Sequence, residues 1–287
     1  MMNKLSVFAN AKINLTLDIT GVRADGYHLL RSIMHRIALC DTVTVCAEPS
    51  DSVEITVASD KSYIPCDRKN TMFKAAEAFC DAWGKGARIE ISAKKNIPVG
   101  AGMGGGSADA AAVLIALNQL LNAGFSEEEL CGIGLKVGAD VPFCIVGGTA
   151  VVTGVGEELC PIPTLPEYPL VICKPRGGAS TPVIYGEYDR MGKNVKGPDN
   201  EAAEAAAKAG DVPGLCRYCK NVLTEAASVY RPEIPVIKKA LAGCGAMVSE
   251  MTGSGSAVFG IFDTKEKAEA AADKLRRSFD TVILTSL

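Results

Sequence analysis

The feature that most constrains the fold of this chain is a glycine-rich segment at residues 97–112, which reads IPVGAGMGGGSADAAA. Glycine lets the backbone adopt positive φ and approach a ligand closely. A run of strong helix formers follows at residues 110–117, and the N-terminus of a helix presents unpaired N–H groups and a partial positive charge. The segment therefore predicts a phosphate-binding loop at the start of a helix, and with it nucleotide binding.

Two other phosphate motifs are excluded by the surrounding sequence. The pattern GxxxxGK[ST] does not occur, and the match of Gly100, Gly102 and Gly105 to GxGxxG is weak by itself. Ser126 and Glu129 predict a capping box, and hence a second helix directly after the first. The resulting strand–helix–helix order argues against a dinucleotide-binding unit. A flexible glycine linker is disfavoured, because the glycines run straight into an apolar helix.

Composition limits the partners and the compartment. The net charge of −3 gives no reason to expect nucleic acid, and the longest apolar run, at residues 110–117, is too short to span a bilayer. The first eight residues lack the apolar core of a signal peptide. Eleven scattered cysteines indicate free thiols in a reducing cytoplasm. We therefore expect a cytoplasmic protein that binds neither nucleic acid nor membrane.

Metal and redox motifs are weak. The chain has only two histidines, which excludes a histidine-rich metal site. Cys216 and Cys219 form a lone CxxC without a second pair, so accidental spacing on a helix is the favoured interpretation.

Hydrophobic patterning predicts an α+β protein of two domains. Alternating strands are expected up to about residue 60, a helix at 70–83, a strand at 87–92, the two helices, and β-rich sequence at 143–152. Four prolines at residues 158–169 indicate the passage to a second domain, so we predict domains at 1–160 and 161–287. Strands and helices alternate in the second half, as in a ferredoxin-like layer. Residues 189–214 are expected to form a surface segment with one exposed helix.

Three polar residues are candidates for a role in the phosphorylation of an alcohol. Lys12 and Asn14 share one face of a predicted strand, and Asp140 lies in GADVP. An aspartate can accept a hydroxyl proton, and a neighbouring lysine can offset the charge that develops. The alternatives are a solvent-facing strand for Lys12 and Asn14, and a turn or helix cap for Asp140.

Two further segments are candidates for nucleotide contacts. Tyr27 and His28 stand on a glycine turn, where an aromatic ring and an imidazole can stack on and hydrogen-bond a base; a surface turn is the alternative. Residues 252–256 read TGSGS and link two strands. They are either an ordinary tight turn or a second loop that closes over the nucleotide.

These segments together resemble the GHMP kinase superfamily. The resemblance rests on AKINLTLDITGVRADGYH, NIPVGAGMGGGSADAA, VGADVPF and MTGSGSAVF, whose order and spacing span nearly the whole chain. Within the superfamily the chain is similar to the kinases of 4-diphosphocytidyl-2-C-methyl-D-erythritol in the non-mevalonate isoprenoid pathway, and RADGYH is the discriminating piece. The resemblance implies an N-terminal ribosomal-S5-like domain, a C-terminal ferredoxin-like domain and an active site in the cleft.

The resemblance also implies a role for each motif residue. Asp140 would be the base for the 2-hydroxyl, and Lys12 would hold Asp140 and the transferring phosphoryl group. The substrate would contact Asn14, Tyr27, His28, Thr181 and Tyr185, with Tyr27 and His28 on the cytosine. ATP would contact Lys95, Pro98, Val99, Gly100, Ala101, Gly102, Met103, Gly104, Gly105, Gly106, Ser107, Ala108, Gly253, Ser254 and Gly255. Magnesium is expected with ATP, with Ser107 as a candidate ligand.

The chain departs from the family pattern at three positions. Tyr185 stands where phenylalanine is common, and Ala108 and Asp109 replace the commoner Ser-Asn. The added carboxylate is expected to weaken phosphate binding unless it points away. The alternatives are another GHMP kinase, for mevalonate, homoserine or a sugar, and a nucleotide-binding protein without turnover. The chain is expected to be a monomer or a homodimer.

Overall fold

The computed structural model describes residues 3–178, 180–192 and 195–287, and in these ranges strands and helices are mixed along the chain. In chain order the elements are β1 (Asn3–Val22), β2 (His28–Pro49), β3 (Glu54–Ser59), α1 (Thr71–Trp83), β4 (Ala87–Lys94), α2 (Gly105–Leu120), α3 (Glu127–Leu135), α4 (Val141–Val146), β5 (Thr149–Thr153), β6 (Glu158–Ile162), β7 (Pro169–Lys174), α5 (Thr181–Met191), α6 (Asn200–Lys208), α7 (Val212–Cys216), α8 (Thr224–Tyr230), α9 (Glu233–Ala242), β8 (Val248–Met251), β9 (Val258–Ile261), α10 (Lys265–Leu275) and β10 (Thr281–Ser286). The predicted α+β class is confirmed.

Contacts divide the chain into two units. The first comprises Met1–Ala11, Leu39–Ile97 and Gly104–Gly147, and the second comprises Lys12–Ala38, Pro98–Met103 and Gly148–Leu287. The two units interleave along the sequence, so the domain boundary at residue 160 stays a prediction.

The first unit packs helices against strands whose side chains alternate between core and solvent. Strand β4 shows strict alternation of buried and exposed residues, because successive side chains of a strand point to opposite faces. It pairs antiparallel with β2, from Thr42 opposite Lys94 to Pro49 opposite Ala87, and parallel with β3. Helix α1 begins after Asn70, whose side chain accepts the N–H of Met72, and it packs on α2.

The second unit contains a four-stranded antiparallel sheet in the order β10-β7-β9-β8. Helices precede β8, and α10 lies between β9 and β10 in the chain, so the unit has the strand order and connections of a ferredoxin-like layer. Its core is apolar and fully buried, and includes Val171, Ile184, Phe262 and Leu275. This arrangement agrees with the ferredoxin-like prediction for the second half.

Several sequence predictions are confirmed, and one is wrong. The strand–helix–helix order after β4 is confirmed, and Ser126 and Glu129 form the predicted capping box. The β-rich assignment of 143–152 is wrong at its start, because α4 occupies Val141–Val146 and the strand begins only at Thr149. Pro142 lies in the first turn of α4, where its missing N–H costs no hydrogen bond. The proline-rich segment begins with β6, paired with β5.

The segment at 189–214 contains the expected helix, α6, but one of its faces is buried. Ala203 and Ala207 are fully buried, so α6 is amphipathic rather than exposed all round. Lys193 and Asn194 of this segment lie outside the described residues. Among the helices that the structure describes, none has the length and apolar character needed to cross a membrane.

Candidate active site

The glycine loop at 98–103 has a backbone shape that requires glycine. Gly100 and Gly102 have φ of 63° and 73°. A Cβ on Gly102 would lie 2.2 Å from the carbonyl oxygen of Thr252, so no other residue fits there without movement of the backbone. Lys12 N–H donates to the Met103 carbonyl at 3.0 Å, and Ser256 N–H donates to the Gly100 carbonyl at 3.3 Å. The loop is therefore held by β1 and by the second glycine segment.

The second glycine segment is fixed by buried side chains. The Thr252 hydroxyl accepts the Asn14 N–H at 2.9 Å and donates to the Gly102 carbonyl at 3.3 Å. The buried Asn221 amide donates to the carbonyls of Met251 and Gly253, at 2.9 and 2.8 Å. The Ser254 and Thr181 hydroxyls are 2.8 Å apart. The two glycine segments thus share one backbone network, which goes beyond an ordinary tight turn.

Sequence reasoning missed Asn221 and the role of Thr252. Thr252 stands beside the glycines of the quoted MTGSGSAVF motif, so its position carried a signal. Asn221 carried none, because a single asparagine in a polar stretch is ordinary. Only the folded chain shows that its amide spans two carbonyls of the loop.

The start of α2 follows the glycine loop directly in the chain. Gly104 is the N-cap with φ of 69°, and Gly105 is so close to Ile97 that an added Cβ would be 3.0 Å from its side chain. The Thr71 hydroxyl donates to the Gly106 carbonyl at 2.8 Å. Ser107 and Ala108 lie in the first turn, so the hydroxyl of Ser107 is placed at the positive end of a 16-residue helix.

Lys12 and Asn14 are on one face of β1, as predicted, but this face is buried rather than solvated. Lys12 Nζ donates to Asn14 Oδ1 at 2.7 Å, and Asn14 Nδ2 donates to Ser32 Oγ at 2.8 Å. Lys12 is only 4% exposed and Asn14 only 1% exposed. A buried ammonium group is costly unless it has partners, so a surface role for this lysine is excluded.

Asp140 stands at the N-cap position of α4, within the other unit. Its side chain makes no capping hydrogen bond to that helix, so the position is not explained by capping. The loop that carries it lies beside the start of α2, because a Cβ built on Gly138 would be 3.8 Å from Ser107 Oγ. The first unit therefore places the loop that carries Asp140 beside the first turn of α2.

Lys95 is buried in an ion cluster with two carboxylates. Its ammonium group pairs with Asp41 and Asp109 and is 5% exposed. Asp41 also accepts the Ile97 N–H at 2.8 Å and so fixes the entry to the glycine loop. Burial, opposed by Lys95, raises the pKa of Asp109 to about 7. The carboxylate of Asp109 thus points to Lys95 in the interior. Asp41 is a further partner that sequence reasoning missed.

The four residues predicted for the base and its surroundings line one cavity. Tyr27, His28, Thr181 and Tyr185 all contribute to a cavity of about 520 Å³. The His28 ring lies 4.9 Å from the Tyr185 ring, and Tyr27 is largely exposed at the edge. His28 Nε2 is 2.7 Å from the carboxylate of Asp189, a residue that sequence reasoning did not single out.

The chain is similar to known proteins in sequence and in fold. The family model described as "GHMP kinases N terminal domain" matches residues 70–148, and the model "GHMP kinases C terminal" matches residues 202–281. These matches confirm the predicted two-domain fold. The 4-diphosphocytidyl-2-C-methyl-D-erythritol kinase of Clostridium novyi (strain NT) is 39% identical over 277 residues, covering 96% of this chain and 98% of its own length.

The backbone of this chain is also similar to those of solved structures. A crystal structure of 4-(cytidine 5′-diphospho)-2C-methyl-D-erythritol kinase superposes with a TM-score of 0.79 at 33% identity, covering 98% of both chains. The homoserine kinase of Cytophaga hutchinsonii superposes with a TM-score of 0.76 at 22% identity, covering 99% of this chain and 95% of its own. The second likeness shows a shared fold only.

Proposed function

This chain belongs to the 4-diphosphocytidyl-2-C-methyl-D-erythritol kinase family of the GHMP kinases, and we propose that it transfers the γ-phosphoryl group of ATP to the 2-hydroxyl of that alcohol. The reaction is a step of isoprenoid precursor synthesis. The observation that carries the proposal is the cavity in which Tyr27, His28, Thr181 and Tyr185 come together, since aromatic rings with a hydrogen-bonding imidazole suit a nucleobase.

Proton transfer from the substrate hydroxyl is assigned to Asp140. In this role the carboxylate takes the hydroxyl proton as the oxygen attacks phosphorus. Lys12 offsets the negative charge of the transferring phosphoryl group, and Asn14 Oδ1 holds its ammonium at 2.7 Å. Asn14 also contacts the substrate. The buried position of Lys12 strengthens its electrostatic effect, because the local dielectric constant is low.

Binding of the ATP phosphates is assigned to the glycine loop and the start of α2. Residues 98–108 offer backbone N–H groups and the positive end of the helix, and Gly253, Ser254 and Gly255 complete the loop. Lys95 stays a predicted ATP contact, and its ammonium group pairs with Asp41 and Asp109 in the described structure. The carboxylate of Asp109 is turned inward, so the cost to phosphate binding expected from it is small.

Magnesium accompanies ATP and neutralises charge on the β- and γ-phosphates. Among the described residues, no group of three His, Cys, Asp or Glu side chains could hold a metal ion. The Ser107 hydroxyl would be one protein ligand of the ion, because it is a hard oxygen donor at the helix start.

We further propose a cytoplasmic monomer or homodimer that binds ATP and a cytidine diphosphate alcohol but no nucleic acid or membrane. The net charge of −3 is not the strongly basic balance that is typical of nucleic-acid-binding chains. Cys80, Cys173 and Cys216 are buried free thiols, which is typical of a reducing compartment.

The test of the reaction is ADP release with ATP, Mg²⁺ and 4-diphosphocytidyl-2-C-methyl-D-erythritol, run beside mevalonate and homoserine. We expect turnover only with the cytidine substrate. Turnover with mevalonate or homoserine alone would be consistent with the GHMP kinase fold but would reject the assignment of the cavity to a nucleobase. ATP binding without any turnover would favour a nucleotide-binding protein.

The roles of Asp140 and Lys12 are tested by substitution. Asp140→Asn is expected to lower kcat by about 10²–10⁴-fold while ATP still binds, because the proton acceptor is lost but the loop is intact. Asp81→Asn, an exposed change on α1, is the matched control for loss of one carboxylate. Wild-type kcat for Asp140→Asn would remove the residue from catalysis. Lys12→Met should lower kcat more than it raises KM for the alcohol.

A further inference from the structure

Helix α5 presents three side chains to one imidazole. Tyr185, Tyr188 and Asp189 are spaced so that they share one face of the helix. The ring of His28 lies 4.9 Å from the Tyr185 ring and 6.4 Å from the Tyr188 ring, and its Nε2 is 2.7 Å from Asp189 Oδ1. The imidazole is therefore oriented from one side by two aromatic rings and a carboxylate.

The carboxylate decides which nitrogen of neutral His28 carries the proton. An ionised aspartate only accepts hydrogen bonds, so Nε2 must donate to Asp189. In the neutral ring the other nitrogen is then an acceptor. Nδ1 of His28 makes no hydrogen bond to the part of the chain that the structure describes. His28 lines the cavity assigned to the base, which places its ring next to a ligand bound there.

We propose that Asp189 is a positioning residue that fixes the tautomer and ring orientation of His28 and thereby makes the site select cytosine over uracil. The inference rests on the proposed function. On its hydrogen-bonding edge cytosine carries one donor, the 4-amino group, and this group matches the Nδ1 acceptor. Uracil carries a carbonyl oxygen at that position, and two acceptors repel one another.

The exposure of Asp189 is that of a residue whose replacement should affect ligand binding more than the stability of the fold. Its side chain is 56% exposed, whereas that of His28 is 11% exposed. Replacement of the carboxylate therefore leaves no unpaired buried charge. Tyr185 and Tyr188 still contact the ring, so His28 keeps its place but loses the partner that sets its tautomer.

The kinetic test compares kcat/KM for the cytidine substrate with kcat/KM for its uridine counterpart. We expect the wild-type enzyme to prefer the cytidine substrate, and Asp189→Ala to reduce that preference by about tenfold or more. The change should appear in KM for the alcohol, with kcat at saturation and KM for ATP near their wild-type values. Glu201→Gln, which removes one exposed charge on α6, should keep the full preference.

A second measurement reports the tautomer without relying on turnover. The chain has only two histidines, so the ring ¹⁵N signals of labelled protein are readily assigned. Burial lowers the pKa of His35 to about 4, so that ring is neutral at about pH 8 and serves as an internal reference. In wild type, Nε2 of His28 should show the shift of a protonated nitrogen and Nδ1 that of an unprotonated one. In Asp189→Ala the two shifts should move toward each other.

The outcomes separate this inference from the function on which it rests. Absence of turnover with the cytidine substrate in the wild type would reject the proposed function. Wild-type turnover with an unchanged cytidine preference in Asp189→Ala would reject the inference alone. A proton on Nδ1 of His28 in the wild type would also overturn it, because the ring would then offer a donor to the base.

Discussion

Two clusters in this chain join a basic side chain to carboxylates: Lys95 with Asp41 and Asp109, and His28 with Asp189. The two clusters differ in their exposure to water. The Lys95 side chain is 5% exposed and each of its partners is buried, whereas Asp189 is 56% exposed. Desolvation makes the buried charges depend on one another, while water screens the open pair. The first cluster therefore serves the stability of the segment that leads into the phosphate loop, and the second is available to a ligand.

The largest expected effect is on the buried cluster. Lys95→Met leaves Asp41 and Asp109 as two buried carboxylates without their cation, and we expect the free energy of unfolding to fall by about 3–5 kcal/mol. Urea denaturation at pH 8 measures the loss. Lys94→Met, at the exposed neighbouring position of β4, is the control and should change stability by less than about 0.5 kcal/mol.

A second substitution checks the cause of this loss. Asp109→Asn in the Lys95→Met background removes one of the two stranded charges and should restore part of the stability. Equal stability of Lys95→Met and Lys94→Met would show that the buried cluster contributes no more than a surface lysine.

The next effect is a dependence of the unfolding free energy on pH that comes from the buried cluster. Because burial raises the pKa of Asp109 from 3.8 to about 7, the folded state binds a proton more tightly than the unfolded state. Stability from this group is therefore present below about pH 4 and is lost as pH rises toward 7, with a slope of at most about 1.4 kcal/mol per pH unit. Asp109→Asn should flatten this part of the profile, and an unchanged profile would contradict the assignment.

The sequence predicted those parts of the site that are formed by residues close together in the chain. The glycine loop, the face shared by Lys12 and Asn14, and the capping box of α3 each depend on local spacing. The pairing of Asp109 with Lys95 and Asp41 joins strands and helices far apart in the chain, so periodicity carried no sign of it. The same holds for Asp189, which reaches His28 across 161 positions of the chain. At α4 the apolar run at 143–146 suited a strand or a helix, and Pro142 in the first turn is compatible with the helix that the structure shows.

A smaller effect is expected for Tyr27 in the open cavity, where a substitution should change substrate binding but not stability. Tyr27 is 62% exposed, so Tyr27→Ala should leave the unfolding free energy nearly unchanged. Loss of a stacking ring should raise KM for the cytidine substrate by about tenfold and leave KM for ATP unchanged. Steady-state kinetics with each substrate varied in turn gives both values. An unchanged KM for the alcohol would remove Tyr27 from the base site.

The smallest expected effect is on the unfolding free energy and concerns the exposed His28–Asp189 pair. Asp189→Ala removes the carboxylate that accepts from His28, but more than half of this side chain is already exposed to water in the folded chain. We therefore expect its unfolding free energy to stay within about 1 kcal/mol of wild type, several-fold less than the loss for Lys95→Met. Paired urea denaturation of the two variants at one pH measures the ratio. A loss as large as that of Lys95→Met would mean that Asp189 holds α5 in the fold, and the difference between an internal cluster for stability and an open pair for recognition would disappear.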